Sequence, residues 1–188
     1  MRANVKRQAI LIIGLLTIAA GVAPAADHAF ISAGMGYLLP ADSGYKDVYG
    51  SQVLYPEFQA GVRLYRGLYV MAGFGTFTKN GETPELHLPA RSTQSFFSAG
   101  LAYIATISGR LKVKVEAGAA DMRFKEAAME TSVSGSKLGF EAGMGFLVMA
   151  KVVFAGMNLG YITASDTVGD VKIKLGGARA SLCLGVRF

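Results

Sequence analysis

From Leu138 to Val148 every second residue is apolar: Leu138, Phe140, Ala142, Met144, Phe146 and Val148 alternate with Gly139, Glu141, Gly143, Gly145 and Leu147. A period of two sets the first group on one face of a β-strand, whereas helical spacing would scatter it. The same alternation runs over Glu57–Leu64, where Phe58, Ala60, Val62 and Leu64 share a face, and over Leu111–Ala120, where Leu111, Val113, Val115, Ala117 and Ala119 do. Less regular versions occupy Ala29–Leu39, Leu68–Thr78, Ser95–Ala105 and Val152–Ile162, and the chain ends in the alternating run ASLCLGVRF. Eight strands are predicted, and no segment of the body predicts a helix.

The connections fall into two classes. Arg66-Gly67, Ser108-Gly109-Arg110 and the region of Ala150-Lys151 predict tight turns, while Pro40–Leu54, Lys79–Thr93, Asp121–Ser136 and Thr163–Lys172 predict longer polar loops. Short and long connections alternate strictly. That is the pattern of an up-and-down antiparallel barrel with both chain ends on the short-turn side.

Alternation alone does not say which face looks inward. The polar phase is crowded with glycine, among others Gly34, Gly36, Gly61, Gly73, Gly75, Gly118, Gly143 and Gly145, with few charges between them. A water-facing exterior would carry Lys, Glu and Thr at most such positions. Glycine suits the interior of an eight-stranded barrel, which is only wide enough to be filled by side chains. The apolar phase then faces lipid, and closure leaves no unpaired backbone edge in hydrocarbon. Two aromatic belts are expected: Phe30, Tyr65, Tyr69, Tyr103, Phe146, Phe154 and Phe188 toward the short-turn end, and Tyr37, Phe58, Phe77, Phe96, Phe97, Phe140 and Tyr161 toward the other.

Residues 1–25 read as an export signal. Arg2, Lys6 and Arg7 make a basic start, Ala9–Ala20 is apolar, and Ala23-Pro24-Ala25 supplies small residues before a cut ahead of Ala26. The apolar stretch is shorter than the ~20 residues a spanning helix needs. Residues 26–188 are expected to form one domain. Three basic residues of the formal +6 belong to the signal, so the remaining excess gives no reason to expect nucleic-acid binding. Cys183 is the only cysteine, which rules out an intramolecular disulfide.

The signal, the glycine-rich alternating strands such as GFEAGMGF, the alternation of connection lengths and the final LGVRF together resemble the small eight-stranded outer-membrane barrels of the OmpA/OmpX type. The resemblance covers essentially all of residues 26–188. It implies an all-β, eight-stranded antiparallel up-and-down transmembrane β-barrel, monomeric, in the outer membrane of a Gram-negative bacterium. Implied partners are outer-membrane lipid and lipopolysaccharide, a host or surface ligand at the loops, and the barrel-insertion machinery, which would read Leu184, Val186 and Phe188 of the last strand. No cofactor is implied. The architecture serves many roles, so function has to be argued from sites.

By phase, Glu57, Arg63, Lys112, Lys114, Glu116, Glu141, Arg179 and Arg187 point into the lumen. These charges are expected to pair and plug the barrel; the alternative is a narrow pore that they gate. An enzyme that modifies lipid A would need a serine, a histidine base and an acidic orienter at the rim. The chain offers His28 near the short-turn end and His87 in the segment Glu85-Leu86-His87-Leu88, with Ser92, Ser95 and Glu85 as imaginable companions. Catalysis is not expected, and two separated histidines with one cysteine make no metal set. Binding is expected in the loops, with Tyr45, Tyr49, His87 and Phe124 as candidate contacts.

Overall fold

The computed structural model describes residues 28–128, 131–168 and 171–188. The expected export signal, residues 1–25, lies outside the described residues. Eight strands close into one antiparallel ring in chain order, with the first paired to the last. They are β1 (Ala29–Pro40), β2 (Val53–Tyr65), β3 (Leu68–Glu82), β4 (Pro89–Ser108), β5 (Leu111–Ala128), β6 (Thr131–Ala150), β7 (Val153–Val168) and β8 (Val171–Arg187). Both described chain ends meet at the short-turn end, where the Phe188 N–H donates to the Ala29 carbonyl and the Phe188 carbonyl accepts from the His28 and Ala29 amides.

Tight turns join β2 to β3, β4 to β5 and β6 to β7. Each contains a residue in the left-handed region: Arg66 at φ 43°, Gly109 at 35° and Lys151 at 56°. Such turns match the right-handed twist of the strands they connect. At the opposite end the strands run much further than predicted. Asp121–Ser136 was expected as a loop, yet β5 continues to Ala128 and β6 starts at Thr131, with Ala128 paired to Thr131. Val168 likewise pairs with Val171 where Thr163–Lys172 was expected to be loop, and Glu82 pairs with Pro89 inside the expected loop Lys79–Thr93. Past the apolar band the outward residues of β5 turn polar, Asp121, Arg123 and Lys125, while Met122 and Phe124 point into the lumen, so the outward apolar phase stops although the hydrogen-bond ladder continues.

The first long connection holds a helix that periodicity did not predict, α1 (Ser43–Tyr49). Asp42 caps it by accepting the Tyr45 amide at 2.9 Å, as a residue with a side-chain oxygen does at a helix start. Gly50 ends it at φ 89°.

The apolar phase faces outward. Leu54, Val62, Leu64, Leu101, Val115, Met144, Val148, Leu159, Leu182 and Leu184 are all exposed. The expected belts divide. Tyr65, Tyr103 and Phe146 at one end, and Tyr37, Phe97, Phe140 and Tyr161 at the other, lie on this outer surface. Phe30, Tyr69, Phe77, Phe96 and Phe154 do not; they are buried in the lumen.

Glycine lets these rings inside. Residues paired directly across two strands share a face. Tyr55 is paired with Gly36, Phe30 with Gly61, Phe96 with Gly75, and Phe154 with Gly185. A Cβ added to any of the four glycines would run into the ring opposite it. Gly75→Val is therefore expected to destabilise the barrel by about 1–3 kcal/mol through overpacking. Urea titration in lipid vesicles, read by the mobility of unheated samples on gels, checks this against the exposed control Ala72→Val.

Candidate functional site

Halfway along the lumen, charged side chains from four strands form a closed ring. The Arg179 guanidinium of β8 reaches Glu57 Oε1 at 3.4 Å through Nη1, and through Nη2 reaches Glu116 Oε1 at 3.4 Å and Glu141 Oε2 at 2.9 Å. Lys114 Nζ lies 2.9 Å from Glu116 Oε2 and donates to Gln59 Oε1 at 2.8 Å. Gln59 Nε2 donates to Glu57 Oε1 at 3.0 Å, which closes the circuit from Arg179 back to Arg179. The ring faces of the barrel add an aromatic neighbour, with the Arg179 guanidinium carbon 5.9 Å from the centre of Phe96. All six polar residues are buried.

Each member sits opposite glycine. Glu57 pairs with Gly34 and Gly75, Gln59 with Gly73, Lys114 with Gly145, Glu116 with Gly143, Glu141 with Gly118, and Arg179 with Gly160. At Gly143 a Cβ would stand 3.2 Å from Glu116 Oε1, and at Gly160 a Cβ would stand 3.2 Å from Arg179 Nε. Long charged chains fit across this narrow interior because their partners have no side chain.

Apolar layers bracket the ring. On the short-turn side Phe30, Tyr69, Met71, Leu147, Met149 and Phe154 pack together, with Phe30 and Phe154 edge-to-face at 5.9 Å. On the other side lie Leu38, Val53, Tyr55, Phe77, Phe96, Met122, Phe124 and Ile162, with α1 over them through Tyr45 and Tyr49. In that setting ions have little access to water, and removal of one member leaves its partners uncompensated, a loss of roughly 3–5 kcal/mol for a buried pair.

Of the eight charges expected in the lumen, Glu57, Lys114, Glu116, Glu141 and Arg179 meet in the ring. The other three do not join it. Arg63 stands at the short-turn rim with Nη2 3.2 Å from His28 Nδ1, Arg187 donates from Nε to the Lys151 carbonyl at 2.7 Å, and Lys112 is half-buried near that same mouth. They lie too near the strand ends to reach the middle. Gln59 was missed because it carries no charge, although it stands two residues from Glu57 on the same face. Phe96 was read into the outer aromatic belt because an aromatic residue in an outer-membrane-like strand reads as lipid-facing, and Tyr55 lies just before the segment Glu57–Leu64 that the alternation marks.

The loop candidates separate in the same way. Phe124, expected to face a ligand, is buried in the upper lumen, because β5 extends through the segment read as loop. Tyr45 and Tyr49 are also buried; their rings lie 4.7 Å apart on the inner side of α1. Only His87 is exposed, at φ 50°, with Nδ1 3.9 Å from Glu82 Oε2. Ser92 lies fully buried in the lumen, away from the outward phase of Ser95. In the last strand Leu184 is exposed, Phe188 is half-buried, and Val186, expected on the open lipid face, is buried between its strand partners Ile31 and Val153.

Solved structures share this architecture. Neisserial surface protein A (NspA) superposes with a TM-score of 0.64 at 14% identity over 88% of this chain and 100% of that one. Ail, the attachment invasion locus protein of Yersinia pestis, in complex with the heparin analogue sucrose octasulfate, gives 0.58 at 18% identity over 86% of this chain and 98% of that one. The N-terminal β-barrel domain of Pseudomonas aeruginosa OprF gives 0.54 at 15% identity over 86% and 98%. The chain has the fold of the small eight-stranded outer-membrane barrels. No family model and no curated protein matches the sequence.

In such a barrel α1 belongs to the mouth, above the membrane-spanning part of the strands. Burial pushes the Tyr45 and Tyr49 phenols up to about 12, and the nearby Glu126 carboxylate adds to the shift. A phenol whose folded pKa exceeds its ordinary value of about 10 favours the folded form below that value. The docking of α1 is therefore expected to hold at pH 10 and weaken as pH rises toward 12. Absorbance of tyrosinate at increasing pH, wild type minus the Tyr45→Phe/Tyr49→Phe variant, checks it; ionisation of the pair at pH 10 would contradict the buried placement.

Proposed function

We propose that the protein is an integral protein of the bacterial outer membrane, closed through its lumen, which acts as a rigid scaffold for surface interactions at its long-strand end. The observation that carries this reading is the filled interior: a continuous polar ring between two apolar layers leaves the mouth as the surface open to partners. Small outer-membrane barrels have short turns on the periplasmic side. By that rule α1, His87 and the extended tips of β3–β6 face the cell exterior.

The outward face near that end carries the exposed cations Arg91, Arg123 and Lys125 on the adjacent strands β4 and β5. Their height above the apolar band suits contact with lipopolysaccharide phosphates, which attract basic side chains at a membrane surface. One structural neighbour is an attachment protein captured with a sulfated heparin analogue. An adhesin-like role, with an anionic surface ligand, is the reading this supports. No enzymatic role is proposed: His87 has Glu82 as its charged neighbour, and the serines named as its companions lie in the lumen or on the outward face of β4.

The test is adhesion of bacteria displaying the protein to cultured host cells. Replacing residues 83–88 with a Gly-Ser linker, combined with Arg123→Gln and Lys125→Gln, is expected to lower adhesion at least fivefold at equal surface display. Adhesion equal to wild type would overturn the surface-interaction role.

A further inference from the structure

The space under α1 is not filled. Between the helix and the tips of β5, β6 and β8 there is a cavity of about 360 Å³, walled by Tyr45, Val48, Tyr49, Ile173 and Leu175, with Glu126 on its polar side. The lining is mostly apolar, as in small-molecule sites, with few polar groups to fix orientation. Asp42 also borders it, but both of its oxygens are engaged: Oδ1 accepts the Tyr45 amide at 2.9 Å and Oδ2 accepts the Lys174 amide at 3.0 Å. Among the described residues the groups acting on half-buried Glu126 are Asp42, Ser92 and the two phenols; Lys174, whose side chain is exposed, lines the cavity as well.

The Tyr45 hydroxyl is an independent pointer. Tyr45 is 9% exposed, lines the cavity, and its buried oxygen makes no hydrogen bond of good geometry, with Ser92 within reach of a weak one. A buried polar atom left unsatisfied is costly, so such atoms are normally partnered. A donor entering the cavity would satisfy it.

We propose that this cavity binds a small organic cation with an apolar body, its ammonium group donating to Glu126 and to the Tyr45 hydroxyl oxygen while its hydrocarbon part packs on Tyr49, Val48 and Leu175. The two tyrosine rings supply electron-rich faces that attract such a cation. This goes beyond the surface role proposed above, because the occupant is a small molecule held inside the mouth and not a macromolecule resting on it. Anionic amphiphiles are disfavoured by Glu126 and Asp42.

The test is an amide NMR titration of the full barrel in zwitterionic lipid nanodiscs with 2-phenylethylammonium chloride, and in parallel with sodium phenylacetate. The cation is expected to shift resonances of residues 44–49 and 126–128 saturably, and phenylacetate is expected to leave them unsaturated. Glu126→Gln should weaken the cation at least fivefold. Ala128→Phe, which fills the cavity without removing a charge, should abolish saturation; a gel of unheated samples shows that each variant is folded. Equal response to both probes, shifts spread over the lipid-facing strands, or unchanged affinity in the folded Glu126→Gln and Ala128→Phe variants would overturn the proposal.

Discussion

A guanidinium in the middle of a membrane-spanning barrel is tolerated only if protein groups replace its water, and Arg179 is held by three carboxylates and an aromatic ring. Those carboxylates have the same problem in reverse. Lys114 and Gln59 resolve it by bridging Glu116 to Glu57, so that the ring is closed and every member has at least one partner. Buried ions of this kind contribute little net stability compared with apolar packing, but they are intolerant of losing one member. The register of four strands is thereby tied to one set of side-chain lengths.

That tie depends on glycine. An eight-stranded barrel has an interior that side chains fill, and two long residues paired across adjacent strands would compete for the same space. The chain resolves this pair by pair, with Glu116 facing Gly143, Arg179 facing Gly160, Phe96 facing Gly75 and Tyr55 facing Gly36. The outward phase of the same strands is then free to be continuously apolar. One alternation thus serves both surfaces: large residues against glycine within, and aliphatic residues against lipid without.

Much of this was legible in the sequence, for physical reasons. Where one face is apolar and the other small, a period of two survives in the residues, and β2, β5, β6 and β8 could be read directly. Phase pointed Glu57, Glu116, Glu141 and Arg179 into the lumen, but counting along the strands set Glu116 lower than the other three, and only the register between strands brings them to one level. Three features were not legible. The extension of β5 to Ala128 turns Met122 and Phe124 inward and polar residues outward, the reverse of the lower strand, and that of β6 from Thr131 is mostly polar, so neither continues the outward apolar phase. The seven-residue helix α1 rests on an Asp42 cap and two docked tyrosines, tertiary contacts that no local pattern reveals. The inward turn of Phe30, Phe96 and Phe154 depends on which glycine each one faces, and that is a property of register between strands.

Closure through the lumen is the claim on which the functional reading rests, since a barrel that conducts would be a pore first and a scaffold second. The most direct measurement is single-channel current through the purified protein in planar lipid bilayers, for wild type and for Glu141→Gln. The filled lumen predicts no resolved unitary current from either protein at moderate voltage. Steady, reproducible conductance steps from the wild type, altered in ion selectivity by Glu141→Gln, would contradict it.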